Sequence, residues 1–315
     1  MFAGARRLET VAPLRAQLGI ESTYLDVTDV ASIAAAAAEI STLTGGTLDV
    51  LVNNAGLSVP RAALDLDIEG TVKYIFDVNV FGVMRTVQAF SPLLIEAQGT
   101  VVNIGSIAPI VTLVFGAAYN ASKAALHAYA DCLRIEMKPF GVHVLTIITG
   151  GVKSDIVRVG VEKLPEKSRY WPIHEFWLKR VQLSQTAPMD TETYAKSVVA
   201  RVVRGTRKPW FWEGKFSWLA WIVNTFLRKG YSVSAGEEGV RERGLTQVGF
   251  SYGEYLWIDQ AGWHCQGTED KAKVDLSKSL FQFHVNSNYY AQWFIIKYFL
   301  TPQRKYAYMM VHIRY

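Results

Sequence analysis

The chain has 315 residues, of which 50% are hydrophobic and 19% are charged. This length and apolar content predict a folded protein with a large core and exclude a disordered or fibrous chain. The net charge of +5 comes from scattered Lys and Arg, and no long basic block recurs, so nucleic acid is not an expected partner. A phosphate-bearing ligand or an anionic membrane would suit this charge equally well.

The compartment is indicated by the cysteines and by the first residues. Cys132 and Cys265 are the only two cysteines, so we expect neither a disulfide framework nor a Cys-rich metal site, and no metal is predicted. Met1 leads almost at once into the basic pair Arg6-Arg7, and no apolar run precedes it, so no signal peptide is expected. These observations favour a cytoplasmic protein.

From Phe2 to Ile148, short apolar or β-branched runs alternate with longer helical patterns. This alternation is typical of repeated βα units, and so of a parallel sheet covered by helices on both faces. The predicted strands are Phe2–Ala5, Ser22–Leu25, Leu48–Val52, Thr100–Ile104 and His143–Ile148. The predicted helices are Leu8–Leu18, Val30–Leu43, Tyr74–Glu96 and Ala117–Lys138. The fold class is therefore α/β, with a doubly wound sheet.

The pattern loosens after Gly151. The segment Glu162–Pro188 is rich in Trp, Lys and Pro, and a long segment in this place usually lies over the site. A helix is predicted over Thr191–Val203. The Trp-rich stretch Trp210–Lys229 contains an apolar run too short to span a bilayer. It could lie in a membrane interface, or equally pack on the protein or on a partner subunit.

Composition changes again beyond Gly230, where alanine becomes scarce and aromatic residues crowd the end of the chain. No motif with a mechanism is found there. We therefore expect a domain over residues 1–229 and an irregular C-terminal extension of unknown role over residues 230–315.

The first candidate site follows the predicted strand Leu48–Val52. Here Asn53, Ala55 and Gly56 belong to an Asn-Asn-Ala-Gly run, at the carboxyl end of a strand, where open α/β sheets bind ligands. Small and amide residues allow the backbone to approach a nucleotide and to hydrogen-bond the neighbouring strand. Ordinary turn chemistry explains the same residues, so both interpretations stay open.

A second cluster carries chemistry for carbonyl reduction. Ser106 follows a strand, while Tyr119 and Lys123 lie one turn apart on one face of a helix. A tyrosine whose pKa is lowered by a nearby ammonium can donate a proton to a carbonyl oxygen, and the serine can orient that oxygen. Asn79 could hold a water that links Lys123 to solvent. A Tyr-x-x-x-Lys pair alone is a common surface feature.

Together, the Asn53 motif, Asn79, Ser106 and the Tyr119-Asn120-Ala121-Ser122-Lys123 run resemble the short-chain dehydrogenase/reductase family in order and spacing. The resemblance covers roughly Phe2 to Leu227. It implies a Rossmann-like fold and a nicotinamide-dependent carbonyl reductase or alcohol dehydrogenase. The implied catalytic residues are Asn79, Ser106, Tyr119 and Lys123, with Tyr119 as general acid/base and Lys123 also bound to the nicotinamide ribose.

The same resemblance implies further cofactor contacts. Asp26 matches the position that contacts adenine, although a helix-capping role for Asp26 or Asp29 is the alternative. Thr149–Ser154 stands in place of the family's Pro-Gly-x-Val-x-Thr loop, so Val152 would bind the carboxamide and Ser154 the nicotinamide or pyrophosphate. Thr149 replaces the usual proline.

The residues after the first predicted strand, Phe2–Ala5, indicate which nicotinamide cofactor is bound. An acidic residue there would accept hydrogen bonds from a free ribose 2′-hydroxyl, whereas Arg6 and Arg7 can bind a 2′-phosphate. We therefore expect NADP(H), with solvated charge at the start of a helix as the alternative.

The family normally begins with a strand and a glycine-rich turn that holds the pyrophosphate. Here Met1 already lies in what should be the second strand. The first strand belongs between Phe2–Ala5 and Leu48–Val52, so we expect its loss to expose backbone edges and an apolar groove, and to weaken folding or cofactor binding.

Within the family, Ile148–Val152 and Pro209–Lys229 resemble fungal NADPH-dependent 1-acyldihydroxyacetone phosphate reductases of the endoplasmic reticulum and lipid droplets. A small carbonyl or alcohol substrate is expected, with a lipid among the candidates, and the segment Val157–Pro188 would select it. Family members pair the helices Tyr74–Glu96 and Ala117–Lys138, which implies a homo-oligomer. The alternatives are an inactive, truncated family member or nucleotide-independent binding protein, and a membrane-surface scaffold using Trp210–Lys229.

Overall fold

A computed structural model describes residues 1–13, 18–156, 163–182, 186–205 and 208–226, and five short strands beyond them. The strands are β1 Phe2–Ala5, β2 Glu21–Tyr24, β3 Val50–Asn53, β4 Thr100–Ile104, β5 His143–Thr149, β6 Trp210–Glu213, β7 Val233–Ser234, β8 Gly249–Phe250, β9 Glu254–Asp259, β10 Gly262–Gly267 and β11 Tyr308–Val311. The helices are α1 Val30–Thr44, α2 Ile68–Ala97, α3 Ala117–Met137, α4 His174–Gln182, α5 Thr191–Val203 and α6 Ser217–Phe226.

Seven strands form a parallel sheet in the order β2-β1-β11-β3-β4-β5-β6. This confirms the predicted Rossmann-like α/β class, and the predicted strands agree with the observed ones to within two residues. Two antiparallel pairs, β7–β8 and β9–β10, lie outside this sheet.

The expectation of an open gap at the centre of the sheet is wrong. We expected open strand edges between β1 and β3, but β11 lies between them and pairs in parallel with both, with Met309 opposite Phe2 on one side and Leu51 on the other. A strand in this place supplies hydrogen-bond partners to two edges that would otherwise expose unpaired N–H and C=O groups. The C-terminal extension thus contributes to the sheet of the first domain.

Two further predictions are modified. The predicted helix Leu8–Leu18 begins as a 3₁₀ turn, Leu8–Thr10. Ala12, Pro13 and Leu18 are helical, and residues 14–17 of that prediction lie outside the described residues. The start of the Trp-rich stretch forms the edge strand β6, paired with β5, and only the part from Ser217 onward is helical. Residues 227–229 lie outside the described residues.

Helix α2 is long and apolar enough to cross a membrane by length and composition, but 56% of its most apolar window is buried inside the protein. Phe90 and Leu94 are fully buried in the main core cluster, together with Ile33 of α1 and Leu126 of α3. This burial explains the apolar composition as core packing. Two π-helical turns interrupt α2, at Ile68–Val72 and Asp77–Phe81.

Candidate active site

The candidate site lies along the carboxyl ends of parallel strands, which all meet at one edge of the sheet. Arg6 follows β1, and Ser106 follows β4. Asn53 is the last residue of β3 and begins the Asn53–Gly56 run, and the Thr149–Ser154 loop begins at the last residue of β5. This is the edge at which doubly wound sheets bind ligands. Residues separated by about 150 positions are thereby placed on one side of the molecule.

Asn53 joins two strands at this edge. Its Nδ2 donates to Oδ1 of Asn103 at 2.8 Å, and both side chains are buried. The bond ties the end of β3 to β4, as expected for an amide that supports the neighbouring strand. Ala55 is buried beside it.

Asn79 is completely buried in the π-helical turn Asp77–Phe81. Its Oδ1 accepts from Leu57 N–H at 2.9 Å, and its Nδ2 donates to Leu57 C=O at 3.0 Å and to Ser122 Oγ at 2.9 Å. Both N–H groups of the amide are therefore engaged with protein atoms. The side chain fastens the loop after β3 to α3, a structural role that the sequence analysis did not assign to it.

Ser106 and Tyr119 interact through their side chains. Ser106 Oγ accepts from the Ala108 N–H at 3.1 Å, which orients the hydroxyl. Burial raises the pKa of Tyr119, and the hydrogen bond with the Ser106 side chain lowers it in part. We expected Lys123 to lower the pKa of Tyr119. The net shift is upward instead, and the group that opposes it is the Ser106 hydroxyl.

Lys123 is 3% exposed, and its Nζ donates to the Ile104 carbonyl at 2.7 Å. The ammonium lies 5.9 Å from the centre of the Tyr119 ring. Burial lowers the pKa of Lys123 to about 8, because the charged form loses hydration. Lys123 therefore lies near the middle of its titration in mildly alkaline solution.

The loop after β5 is held by backbone pairing. Gly150 N–H donates to Glu213 C=O at 2.8 Å, and a β-carbon at Gly150 would lie 2.0 Å from the Lys215 carbonyl oxygen, so only glycine fits. Val152 pairs with Met189, and Ser154 is partly exposed. The Thr149 hydroxyl lies 2.6 Å from the hydroxyl of Tyr194, a side chain in α5.

The residues expected at the adenosine end lie at the ends of β1 and β2. Arg6 Nη1 donates to the Tyr74 hydroxyl at 2.9 Å, and Arg7 is exposed. Asp26 Oδ1 accepts from the Thr28 N–H at 2.9 Å, whereas Asp29 caps α1. Of the two aspartates, Asp29 is therefore the one that caps the helix.

The arrangement fits the nicotinamide end of a dinucleotide. A β-carbon at Gly56 would lie 3.5 Å from Lys123 Nζ, so the Asn53–Gly56 run directly borders the ammonium. One N–H of Lys123 donates to Ile104, and its other N–H groups can donate to ribose hydroxyls. The Tyr119 hydroxyl can hydrogen-bond the same ribose. The glycine-rich pyrophosphate turn of the family is not among the described residues. Within the described part of the chain, no group of His, Cys, Asp and Glu could hold a metal ion.

Part of the segment expected to cover the site is described. Trp177 of α4 is fully buried in a cluster with Ala62 and Leu164, and Phe115 packs against that cluster. The segment therefore packs against the loops that follow β3 and β4. Residues 157–162 and 183–185 lie outside the described residues.

Comparison with known proteins agrees with this fold. The family model for short chain dehydrogenase matches residues 2–164. A short-chain dehydrogenase of Hypocrea virens is 44% identical over 209 residues, covering 66% of this chain and 72% of that protein. An NADPH-dependent 1-acyldihydroxyacetone phosphate reductase of Schizosaccharomyces pombe is 43% identical over 184 residues, covering 57% and 62%.

Among solved structures, a short-chain dehydrogenase of Streptomyces avermitilis superposes with a TM-score of 0.59 at 29% identity, covering 70% of this chain and 80% of that one. The matched fold, the parallel sheet and the residues at its carboxyl edge define an oxidoreductase of nucleotide-binding α/β type. The chain belongs to the short-chain dehydrogenase/reductase family.

Two residues near the site escaped the sequence analysis. His127 accepts a hydrogen bond from the Ser106 backbone, and Tyr194 contacts Thr149. His127 follows Lys123 by four positions, so helix periodicity was a signal that could have found it. Tyr194 lies 45 positions from Thr149, and no local pattern connects them.

Proposed function

We propose that this protein is an NADP(H)-dependent oxidoreductase that reduces a ketone, or oxidises the alcohol in the reverse direction. The observation that carries the proposal is the interaction of the Ser106 and Tyr119 side chains beside the buried Lys123. The NADPH-dependent reductase of Schizosaccharomyces pombe, which is 43% identical, supports the choice of cofactor.

The proposed chemistry divides among the three residues. NADPH, when bound, supplies a hydride to the carbonyl carbon. Tyr119 donates its proton to the carbonyl oxygen as negative charge develops there, and its raised pKa keeps that proton in place at neutral pH. Ser106 donates a hydrogen bond to the same oxygen, and Lys123 holds the ribose hydroxyls. Asn79 was expected to hold a water that links Lys123 to solvent. Both N–H groups of its side chain already bond protein atoms, so other groups would have to hold that water.

Arg6 and Arg7 would bind the 2′-phosphate, Asp26 the adenine, and Val152 and Ser154 the nicotinamide end. Titration of the full chain with NADPH and NADH, followed by nicotinamide fluorescence, tests this. We expect NADPH to bind more tightly and Arg6→Ala to weaken it about 10-fold or more, because charge-assisted hydrogen bonds are lost. Arg204→Ala, at an exposed position on the surface, is the matched control.

Turnover gives the second measurement. Tyr119→Phe should lower kcat about 10²- to 10⁴-fold and leave NADPH binding within a few-fold of the original. Failure of both nucleotides to bind would instead support an inactive family member or a nucleotide-independent binding protein.

A lipid ketone is the favoured substrate class, and one observation points to it. Trp218 and Trp221 on α6 are 58% and 43% exposed, and exposed tryptophans suit a membrane interface. This would place the protein on the cytosolic face of the endoplasmic reticulum or of lipid droplets, with acylated substrate delivered from the membrane. The named substrate of the Schizosaccharomyces pombe relative, 1-acyldihydroxyacetone phosphate, is the first compound to assay.

Co-sedimentation with phosphatidylcholine vesicles containing anionic lipid tests the membrane contact. Replacing both Trp218 and Trp221 by Ser should reduce the bound fraction several-fold, because apolar area at the interface is lost. The Trp171→Ser variant changes a tryptophan that is 36% exposed elsewhere on the surface and should bind as the unchanged protein does. Vesicle binding that is unaltered in the double variant would argue for packing of α6 on a partner.

A further inference from the structure

A buried histidine contacts the backbone of the candidate catalytic serine. His127 lies one helical turn after Lys123 in α3 and is 5% exposed. Its Nε2 accepts a hydrogen bond from the backbone N–H of Ser106, with 3.2 Å between the nitrogens. The bond spans 21 positions in sequence and joins α3 to the end of β4, where the serine leaves the sheet.

The neighbouring residues leave space for this ring. A β-carbon at Gly105 would lie 2.5 Å from His127 Nε2, so a glycine at this position allows the imidazole to approach the backbone. On another side, the ring of Trp210 lies with its centroid 5.4 Å from that of His127. Trp210 Nε1 in turn donates to Asp131 Oδ1 at 3.2 Å, one turn further along α3. The imidazole therefore has few alternative positions.

The protonation state suits an acceptor. Burial and the nearby Lys123 ammonium lower the pKa of His127 to about 4. The ring is then neutral across the physiological range, with its proton on Nδ1 and a lone pair on Nε2. Protonation of Nε2 would replace the acceptor by a donor facing the Ser106 N–H.

We propose that His127 is a positioning residue for the catalytic serine: its Nε2 fixes the Ser106 backbone so that the serine hydroxyl faces Tyr119. This inference rests on the proposed reductase function. The backbone N–H of Ser106 follows a strand end, and without an acceptor it would be a buried, unpaired donor. Since Ser106 must place its hydroxyl within hydrogen-bond distance of the same oxygen that Tyr119 protonates, small backbone shifts reduce turnover.

The kinetic test compares two substitutions in the full chain. His127→Leu removes the acceptor while keeping a large apolar side chain, and His127→Gln can place an amide oxygen at a similar reach. We expect Leu to lower kcat about 10- to 100-fold, corresponding to the loss of one buried hydrogen bond. Gln should recover most of the loss. Neither substitution should change the NADPH dissociation constant more than about threefold, because neither group is at the cofactor.

A second readout does not need activity. In protein labelled with ¹⁵N in histidine and the backbone, NMR should show His127 Nε2 unprotonated, with a coupling across the hydrogen bond to the Ser106 amide. Faster exchange of the Ser106 amide with deuterium is expected in the Leu variant and not in the Gln variant. A protonated Nε2, or a Leu variant with unchanged kcat and unchanged Ser106 exchange, would overturn the inference.

The two proposals fail in different ways. If Tyr119→Phe turns over as fast as the original protein, the proposed function is wrong whatever His127 does. If Tyr119→Phe and Ser106→Ala are both impaired while His127→Leu is not, the function stands and the positioning role is wrong. Equal loss in the Leu and Gln variants, with normal thermal unfolding, would also reject the acceptor role.

Discussion

Lys123 combines a charge with almost complete burial, and this combination has a consequence for pH dependence. Its pKa is lowered to about 8, so the ammonium predominates below pH 8 and the neutral amine above it. If the ammonium assists Tyr119 and binds ribose, kcat/KM for ketone reduction should fall about tenfold per pH unit well above pH 8. A pH–rate profile from pH 6 to pH 10 measures this.

The exposed Lys138 supplies the control for that profile. Lys138→Ala should retain the same decline above pH 8, since this side chain lies at the far end of α3. A profile that stays flat up to pH 10 would show that the charge on Lys123 is not required.

Asn79 is expected to matter for stability as well as for catalysis. Asn79→Ala leaves the buried Leu57 N–H and C=O groups without their side-chain partners. Each unsatisfied buried group costs about 1–3 kcal/mol, so we expect the free energy of unfolding to fall by roughly 2–4 kcal/mol. Urea denaturation followed by circular dichroism gives this value.

The matched change is Asn224→Ala, at an exposed position in α6, which should alter the free energy of unfolding by less than about 0.5 kcal/mol. Similar values for the two variants would mean that the Asn79 bonds contribute little.

Among the elements, strand β11 connects two parts of the central sheet. It pairs in parallel with β1 and β3, so each of its N–H groups faces one of two neighbours. Met310→Pro removes one donor and introduces a ring that a central strand does not accommodate. We expect amide exchange in β1 and β3 to accelerate about tenfold or more, measured by hydrogen–deuterium exchange mass spectrometry.

Met310→Ile keeps the N–H group and serves as the control, since β-branched residues suit strands. Strand β4 lies one position further from β11 and gives an internal reference. Exchange in β1 and β3 that is the same in both variants would mean that β11 does not protect them.

At the scale of the whole molecule, apolar side chains remain exposed on the two helices that family members pair. Phe81 on α2 is 47% exposed and Ile135 on α3 is 63% exposed. We therefore predict a homo-oligomer formed through these helices. Size-exclusion chromatography with light scattering should give a multiple of the chain mass, and Ile135→Glu should shift it towards the monomer, because an interface would bury the added charge.

Val203→Glu changes another exposed apolar residue, 53% exposed at the end of α5, and should leave the assembly intact. A monomer for the unchanged protein would contradict the prediction.

The sequence predicts the α/β class and the order of the first strands and helices, because apolar periodicity is a local property that survives without tertiary contacts. It also identified Asn53, Ser106, Tyr119 and Lys123 as candidates, since each lies at a strand end or at a helical spacing that can be counted along the chain.

Features that require distant segments of the chain to meet are seen only in the folded structure. The pairing of β11 joins residues about 300 positions apart with β1 and about 260 apart with β3, and no periodicity in the C-terminal extension indicates that place in the sheet. The contacts of Asn79 with Leu57, of His127 with Ser106 and of Tyr194 with Thr149 likewise arise where helices pack on the sheet. Burial, which arises only when the chain is packed, raises the pKa of Tyr119 and lowers that of Lys123, because it disfavours the charged form of each side chain.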